Sequence, residues 1–433
     1  MKESKGPNVS NPLPITGEVP EGRRGSANEE YIAKHREEDV RALALKKVPD
    51  GVDATWCLQQ IEGWQLARKK LPQWAATNGL WYPPRISMEQ CSSEVTALYK
   101  RSVVERILPA DQRKEMTDLT GGFGIDFSYL SQAFMHAKYV ERQTHLCEIA
   151  RHNFSNLPYV TVSNCSSEEY LNSTSQVALL YLDPARRDDV GRKVVALEDC
   201  SPNVVDLQEE LRRHARYVLI KLSPMLDITQ ALRQLQCISE VHVVSVQGEC
   251  KEVLLLIDRT WENEKDVEEQ LPTYYCVDIR NDRTYTFSTK AGTSAVSDCS
   301  IVSAADICGN GTHATILFEP NASILKAGVQ NALCKQFGIS KLHPISNLFV
   351  GQHPIADFPG RQFEIEEVGD FSKQGIKKVL QGIKKANLTI RNFPSTVAEL
   401  RKKLKLKEGG DVYLFATTLA DDRHALIKTK KVP

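Results

Sequence analysis

The pattern of apolar and polar positions changes character three times along the chain. Between 29 and 112 apolar residues recur at helical spacing, as Val40, Leu43 and Leu45 among the charges of Glu37–Lys47, then as Leu58, Ile61 and Leu66. Pro72, Pro83 and Pro84 cut this region into pieces, because proline lacks the backbone donor that a continuing helix needs. Trp56, Trp64, Trp74 and Trp81 fall within 26 residues. They read as rings that pack these helices together, with stacking on a base as the alternative. A helix over 94–107 follows Ser92-Ser93-Glu94, whose polar groups either cap it or reach a ligand.

From 114 to 258 short apolar runs alternate with amphipathic stretches. Strands are predicted at 115–119, 138–141, 160–163, 177–182, 217–222, 241–246 and 252–257, and helices at 125–136, 144–155, 204–215 and 227–235. Gln247-Gly248-Glu249-Cys250-Lys251 between the last two strands suits an antiparallel hairpin. The expected fold is α/β, a Rossmann-like seven-stranded domain over 113–260 that binds its ligand at the carboxyl ends of parallel strands. The polar segment 188–203 is long enough to form a flap there. Residues 259–271 are acidic and read as a linker or an exposed helix.

The third regime begins at 272. Short strands at 274–279, 284–288 and 313–318, with a helix at 323–337, suggest a small ferredoxin-like α/β region over 272–361. Residues 362–433 follow as strand 363–366, basic helix 372–384, strand 387–391, helix 395–404, and strands 411–417 and 424–429. That order suits a compact α/β module of the kind that binds RNA. Residues 1–28 are polar, contain several Gly and Pro, and have no apolar stretch, so they read as a disordered tail and not as a signal peptide.

Composition changes this picture in two places. The 433 residues carry no net charge, but the segment 371–433 holds 12 Lys and 3 Arg against 2 Glu and 3 Asp, a net +10. A basic segment of that density fits a phosphate-backbone binder, with a solvated lysine face as the plain alternative. Lys377, Lys378, Lys384 and Lys385 would sit on one side of the basic helix. Eleven cysteines with no Cys-x-x-Cys pair read as reduced thiols of a cytoplasmic protein, and no Cys/His grouping has metal-ligand spacing. No apolar run reaches the length of about 18 residues that spans a membrane.

The candidate chemistry lies at 118–124, Asp-Leu-Thr-Gly-Gly-Phe-Gly, between a predicted strand and a predicted helix. A dinucleotide fingerprint would need a third glycine where Phe127 stands, and no Gly-Lys-Ser/Thr follows to make a phosphate loop. Glu141 lies 19 residues after Gly122, the distance at which an acid on the next strand reaches ribose hydroxyls. An adenosine ligand without pyrophosphate fits best, which points to S-adenosyl-L-methionine.

These residues carry a resemblance. Asp118, Leu119, Thr120, Gly121, Gly122, Phe123 and Gly124 resemble motif I of the class I methyltransferases, Glu141 their motif II acid, and Asp183-Pro184-Ala185-Arg186 occupies the place of motif IV. His35-Arg36-x-x-Asp39, Ser92-Ser93-Glu94, the Asp-Pro-Ala-Arg-Arg run, Pro202-Asn203 and the basic C-terminal segment are similar to a bacterial group that ends in a THUMP-like domain. The likeness spans about 29–433, and seven strands ending in a hairpin are its pattern.

The resemblance implies that Glu141 accepts hydrogen bonds from both ribose hydroxyls, and that Asp118 orients the glycine loop or meets the methionine amino group. Cys165 and Ser166 would edge the adenine, and Asp183, Pro184 and Arg186 would flank the transferred methyl. Base-N-methylating relatives carry Pro and an aromatic ring where Ala185 and Arg186 stand here. Uracil-C5 relatives need a cysteine after the fifth strand, where this chain has Lys221-Leu222-Ser223. The acceptor atom therefore stays open. Arg186, Arg187 and Lys221 would grip RNA phosphates, or pair with neighbouring carboxylates, Lys221 with Asp183. The expected partner is RNA, either tRNA or rRNA. A small-molecule methyltransferase and a non-catalytic RNA-binding protein of the same fold are the rivals.

Overall fold

The computed structural model describes residues 2–5, 26–185, 197–261, 271–281, 283–292, 299–308 and 316–432. Arg186, Arg187, residues 1 and 6–25 of the expected tail, and most of the 188–203 and 259–271 segments lie outside the described residues. Two compact units make up the chain. One is Lys5–Glu240 with Glu252–Gln270, the other chiefly Val241–Lys251 with Leu271–Pro433.

The first unit opens with helices Ser26–His35, Val40–Ala44, Ala54–Lys70, Pro72–Ala76, Arg85–Gln90 and Glu94–Ile107. Asp53 caps the third, accepting from Trp56 N at 3.0 Å, and Pro72 starts the fourth where its missing donor costs nothing. All four tryptophans take part in ring contacts. Trp74 is fully buried and meets Phe123 edge-on at 4.9 Å, while Trp81 stacks on His152 at 4.0 Å and meets Trp56 at 6.0 Å. The guanidinium groups of Arg36 and Arg68 lie 4.6 and 5.0 Å from the Trp64 ring.

The strands of this unit are β1 (Glu115–Asp118), β2 (His136–Val140), β3 (Val160–Ser163), β4 (Val177–Leu182) and β5 (Ala215–Leu222), with the start of β6 (Ile238–Val246) and the end of β7 (Glu249–Asp258), whose other residues belong to the second unit. Strands β1 to β5 run parallel in the order β3-β2-β1-β4-β5, and β7 follows antiparallel, from Tyr217↔Asp258 to Leu222↔Val253. The start of β6 lies beside the end of β7, where the Ser239 hydroxyl donates to Leu256 O at 3.2 Å. Strand β4 is central and buried along most of its length, hence its unbroken Val-Ala-Leu-Leu-Tyr-Leu. The helix expected over 125–136 is only Ile125–Leu130 with a 3-10 turn at Ser131–Ala133, because the chain must turn before β2 at His136. A short helix, Ser167–Leu171, was not expected from the pattern.

In the second unit β8 (Thr273–Arg280) and β9 (Arg283–Lys290) form a hairpin, and the Ser245 hydroxyl of β6 donates to Asp278 Oδ1 at 2.6 Å. A seven-stranded sheet follows, built from β10 (Ile316–Pro320), β11 (Ser340–Lys341), β12 (Phe349–Gly351), β13 (Gly360–Asp370), β14 (Asn387–Ile390), β15 (Val412–Thr418) and β16 (His424–Lys431). Its order is β11-β12-β10-β13-β16-β15-β14. The boundary expected at 361 falls inside β13, which pairs with β10 on one edge and β16 on the other. Glu319 on β10 is buried and binds Arg361, and Arg391 Nη2 reaches its other oxygen at 2.8 Å.

Three expectations are corrected here. The 323–337 helix is two, Ala322–Ala327 and Ala332–Phe337, separated by Gly328 in the left-handed region. The basic helix is Lys373–Val379, so Lys384 and Lys385 lie beyond it, past Gly382 at φ +76. Lys385 instead bridges Lys407 in parallel. Cys299 and Cys334 form a disulfide with a Cα–Cα distance of 5.3 Å, where free thiols were expected. Folding brings these two together across 35 residues, a meeting that spacing alone does not announce. Among the described residues no helix is long and apolar enough to cross a membrane, and no group of three His, Cys, Asp or Glu could hold a metal ion.

Candidate active site

The carboxyl ends of β1, β2 and β4 bring Asp118, Glu141 and Asp183 to one edge of the sheet, with Asp118 paired in register to Tyr139 and Tyr181. Between β1 and its helix the chain turns through Gly121, Gly122 and Gly124. Gly124 at φ +85 caps the helix, and Gly122 takes φ +55. A Cβ on Gly121 would lie 2.2 Å from the Tyr139 ring and one on Gly124 2.8 Å from Phe154, so these two glycines serve packing. A Cβ on Gly122 would meet nothing nearer than Thr120 O at 3.7 Å, so backbone is presented to open space there.

Side chains fix this loop. Glu141 Oε2 accepts from Gly122 N at 2.9 Å, and Oε1 accepts from Gln143 N at 2.9 Å. Each oxygen keeps a second lone pair for a ligand hydroxyl. The Tyr139 hydroxyl donates to Gly122 O, and Asp118 Oδ1 accepts from Thr120 N at 2.9 Å. Thr120 Oγ1 accepts from Asp183 N at 2.6 Å, tying the ends of β1 and β4 together. Phe123 is buried against Trp74 and Tyr82. Burial pushes the Asp118 carboxyl well above its usual range, opposed by the Thr120 N–H and aided by the carboxylates of Asp126, Asp183 and Glu141. A cationic ligand group beside it would relieve that cost.

These residues fit a cofactor with a ribose and a positive charge: two strand-end carboxylates, spare acceptor capacity on Glu141, and an open glycine at 122. Ser166 is placed differently. Its hydroxyl accepts from Glu169 N at 3.1 Å and its N–H donates to Glu169, a capping box that starts helix Ser167–Leu171. Cys165 beside it is half-buried, and burial pushes its thiol up. The Ser167 hydroxyl donates to Leu119 O at 2.7 Å, so this helix braces the glycine loop from behind.

Pro184 is buried, and Ala185 forms a two-bond bridge with Ser201, with N···O distances of 2.8 and 2.9 Å. Of the Pro202-Asn203 pair, Asn203 caps helix Val204–His214, accepting from Val205 N at 3.0 Å. Lys221 is not exposed for a grip on RNA phosphate. It is buried, its ammonium bound to Asp183 and 3.5 Å from Asp126 Oδ2. Burial alone would lower its pKa, but Asp183, Asp126 and Glu252 outweigh it and hold the group above the ordinary lysine value. Sequence reasoning missed Tyr139, Asp126, Lys100 and Glu252. The spacing of Tyr139 two residues before Glu141 was the one available signal, since both face the loop from the same strand end.

Residues 317–359 match a family model described as a ferredoxin-like domain, and residues 360–431 one described as THUMP domain-like. No protein of curated function matches the chain. A crystal structure of a candidate methyltransferase from Porphyromonas gingivalis W83 is 30% identical with a TM-score of 0.80, covering 94% of this chain and 98% of that one. A candidate RNA methyltransferase from Pyrococcus horikoshii (11% identical, TM-score 0.31, 42% of this chain and 90% of that one) overlaps far less. So does TrmN from Thermus thermophilus (14%, 0.31, 40% and 51%). The Porphyromonas likeness runs nearly end to end, and with it this chain belongs to the class I methyltransferase family, in the bacterial group that ends in ferredoxin-like and THUMP-like domains.

Proposed function

We propose that the protein transfers a methyl group from S-adenosyl-L-methionine to RNA. The observation that carries the proposal is the cluster of Asp118, Gly122, Glu141 and Asp183 at the carboxyl ends of three parallel strands, cross-tied by Thr120 and Tyr139. Glu141 would accept from the ribose hydroxyls, Asp118 would face the methionine ammonium, and open backbone at Gly122 would lie against the ligand. When bound, the cofactor supplies an activated sulfonium methyl. The protein's share is then to hold the acceptor in line with it, which alone removes much of a bimolecular barrier. Asp183 would be the carboxylate for that task. The RNA half of the proposal draws on the THUMP-like domain and on the net +10 of 371–433.

Calorimetry tests the cofactor half. Glu141→Ala should weaken S-adenosyl-L-methionine binding by about 1.5–3 kcal/mol, the range for a hydrogen bond to a charged group. An affinity equal to wild type would remove Glu141 from the site. Mass spectrometry of nucleosides from wild-type and deletion cells tests the RNA half. One methylated nucleoside should disappear with the gene, and an unchanged profile would favour a small-molecule acceptor.

A further inference from the structure

A row of buried charges runs inward from Asp183. Lys221 Nζ binds Asp183 and lies 3.5 Å from Asp126 Oδ2. Asp126 Oδ1 is 3.1 Å from Lys100 Nζ, which donates to Glu252 Oε1 and Oε2 at 2.6 and 2.7 Å. The hydroxyls of Ser92 and Tyr181 each donate to Asp126 Oδ2 at 2.7 Å. Acid and base thus alternate from Asp183, whose side chain is 40% exposed, through Lys221 at 11% to Lys100 at 0%. Burial alone would push the Asp126 carboxyl up, but Lys100 and Lys221, then the two hydroxyls, hold it well below the usual range. Taking ions out of water costs several kcal/mol each before pairing is counted, and well-packed apolar residues often do as well for stability. Stability is therefore a weak reason for a row that ends at Asp183, the carboxylate to which the proposed function assigns the acceptor.

We propose that this row selects the acceptor atom: a hydroxyl oxygen, which on RNA means the ribose 2′-hydroxyl, with Asp183 and Lys221 acting on it and Asp126, Lys100 and Glu252 as positioning residues. The inference rests on the methyl-transfer reading of the site. In the step, the acceptor oxygen forms its new bond to the methyl carbon with a lone pair. The carbon–sulfur bond of the sulfonium donor breaks, and its electron pair returns to sulfur as a thioether. The hydroxyl proton passes to the Asp183 carboxylate and from its exposed edge to water.

Three features favour oxygen over nitrogen. A fixed ammonium stabilises negative charge growing on an oxygen as its proton leaves, and opposes the positive charge that a neutral amine acquires as it is methylated. Lys221 stays protonated under its carboxylate neighbours, so it acts as a fixed charge and leaves the proton to Asp183. Position 186, where base-N-methylating relatives carry the stacking ring, is Arg186, which has no aromatic ring. Every RNA nucleotide carries a 2′-hydroxyl, so this acceptor asks for no base platform.

The test uses the full-length protein, S-adenosyl-L-methionine labelled in the methyl group, and total RNA from cells lacking the gene, digested to nucleosides for mass spectrometry. The label should appear on ribose. Lys221→Gln should keep cofactor affinity within about twofold by calorimetry and keep KM for RNA, while kcat falls by about 100-fold or more, the loss typical for one group stabilising a developing oxyanion. Lys221→Arg should recover part of kcat. Label on a base overturns the hydroxyl assignment while leaving methyl transfer to RNA intact. A Lys221→Gln protein that loses cofactor affinity together with kcat overturns the role of Lys221. If that variant fails to fold, the position of the label in the wild-type product still decides. Cofactor binding without any label in RNA overturns both this inference and the RNA acceptor, and absence of cofactor binding overturns the reading beneath them.

Discussion

Gly121 and Gly122 are neighbours with opposite tasks. Gly121→Ala would drive a Cβ into the buried Tyr139 ring, which is itself packed against Phe127 and Phe154. Overpacking of this kind costs about 1–3 kcal/mol or more. Gly122→Ala meets open space and carries the left-handed strain of about 1–2 kcal/mol. Denaturant unfolding should find Gly121→Ala the less stable of the two, while calorimetry finds cofactor binding impaired in Gly122→Ala even where it is folded. Asp118 permits a test by pH. Its folded pKa is raised, chiefly by burial, so the stability it contributes is present below the unfolded value of about 3.9 and is lost as pH rises through the folded one. Asparagine can still accept from Thr120 N and carries no charge. Thermal unfolding of Asp118→Asn should therefore match wild type near pH 4 and gain on it as pH rises, until the pH passes the raised folded pKa of Asp118. A gap that does not change with pH would mean that Asp118 ionises without penalty.

Among the elements, the helical region and the glycine loop depend on one another. Trp74, from helix Pro72–Ala76, is fully buried and lies edge-on to Phe123, which belongs to the loop itself. Trp74→Ala should cost about 3–5 kcal/mol in denaturant unfolding, as for other large buried side chains, and should weaken cofactor binding as well. A loss below about 1 kcal/mol would show that the loop holds its shape without this support. The elements were legible where burial and period agree: β3 and β4 match their predicted bounds, as does helix Glu94–Ile107. They were less legible at helix ends, since Gly328 ends one helix and the basic one stops at Val379 short of Gly382, where the apolar pattern would carry both on. Helix Ser167–Leu171 is too short to show a period, although its Ser166-x-x-Glu169 capping box stood in the sequence. The glycine loop, Glu141 and Asp183 could be read from motif and spacing. Lys100 and Glu252 could not, because they meet across 152 residues and each looks like an ordinary surface charge in its own segment.

For the whole molecule, the question is what the basic C-terminal segment contributes to RNA recruitment. Lys377, Lys378, Lys384 and Lys385 are all exposed, though on two segments and not one helix face. Lys407 N donates to Lys384 O at 3.0 Å, which brings the second pair beside the lysines that follow helix Val397–Leu404. Lys378 also pairs with Glu367, an exposed contact of the kind worth at most about 1 kcal/mol, so a phosphate can displace it readily. Replacing all four with Gln should weaken RNA binding at low salt. It should also flatten the dependence of log K on log salt by up to about 3, since each neutralised phosphate of a single strand contributes about 0.7. Cofactor affinity should stay unchanged, because none of these lysines supplies a group to the cluster at Asp118, Glu141 and Asp183. Filter binding across a salt series gives the slope, and calorimetry gives the cofactor control. A slope equal to that of wild type would leave these lysines as a solvated face and move the phosphate contacts to cations elsewhere in the chain.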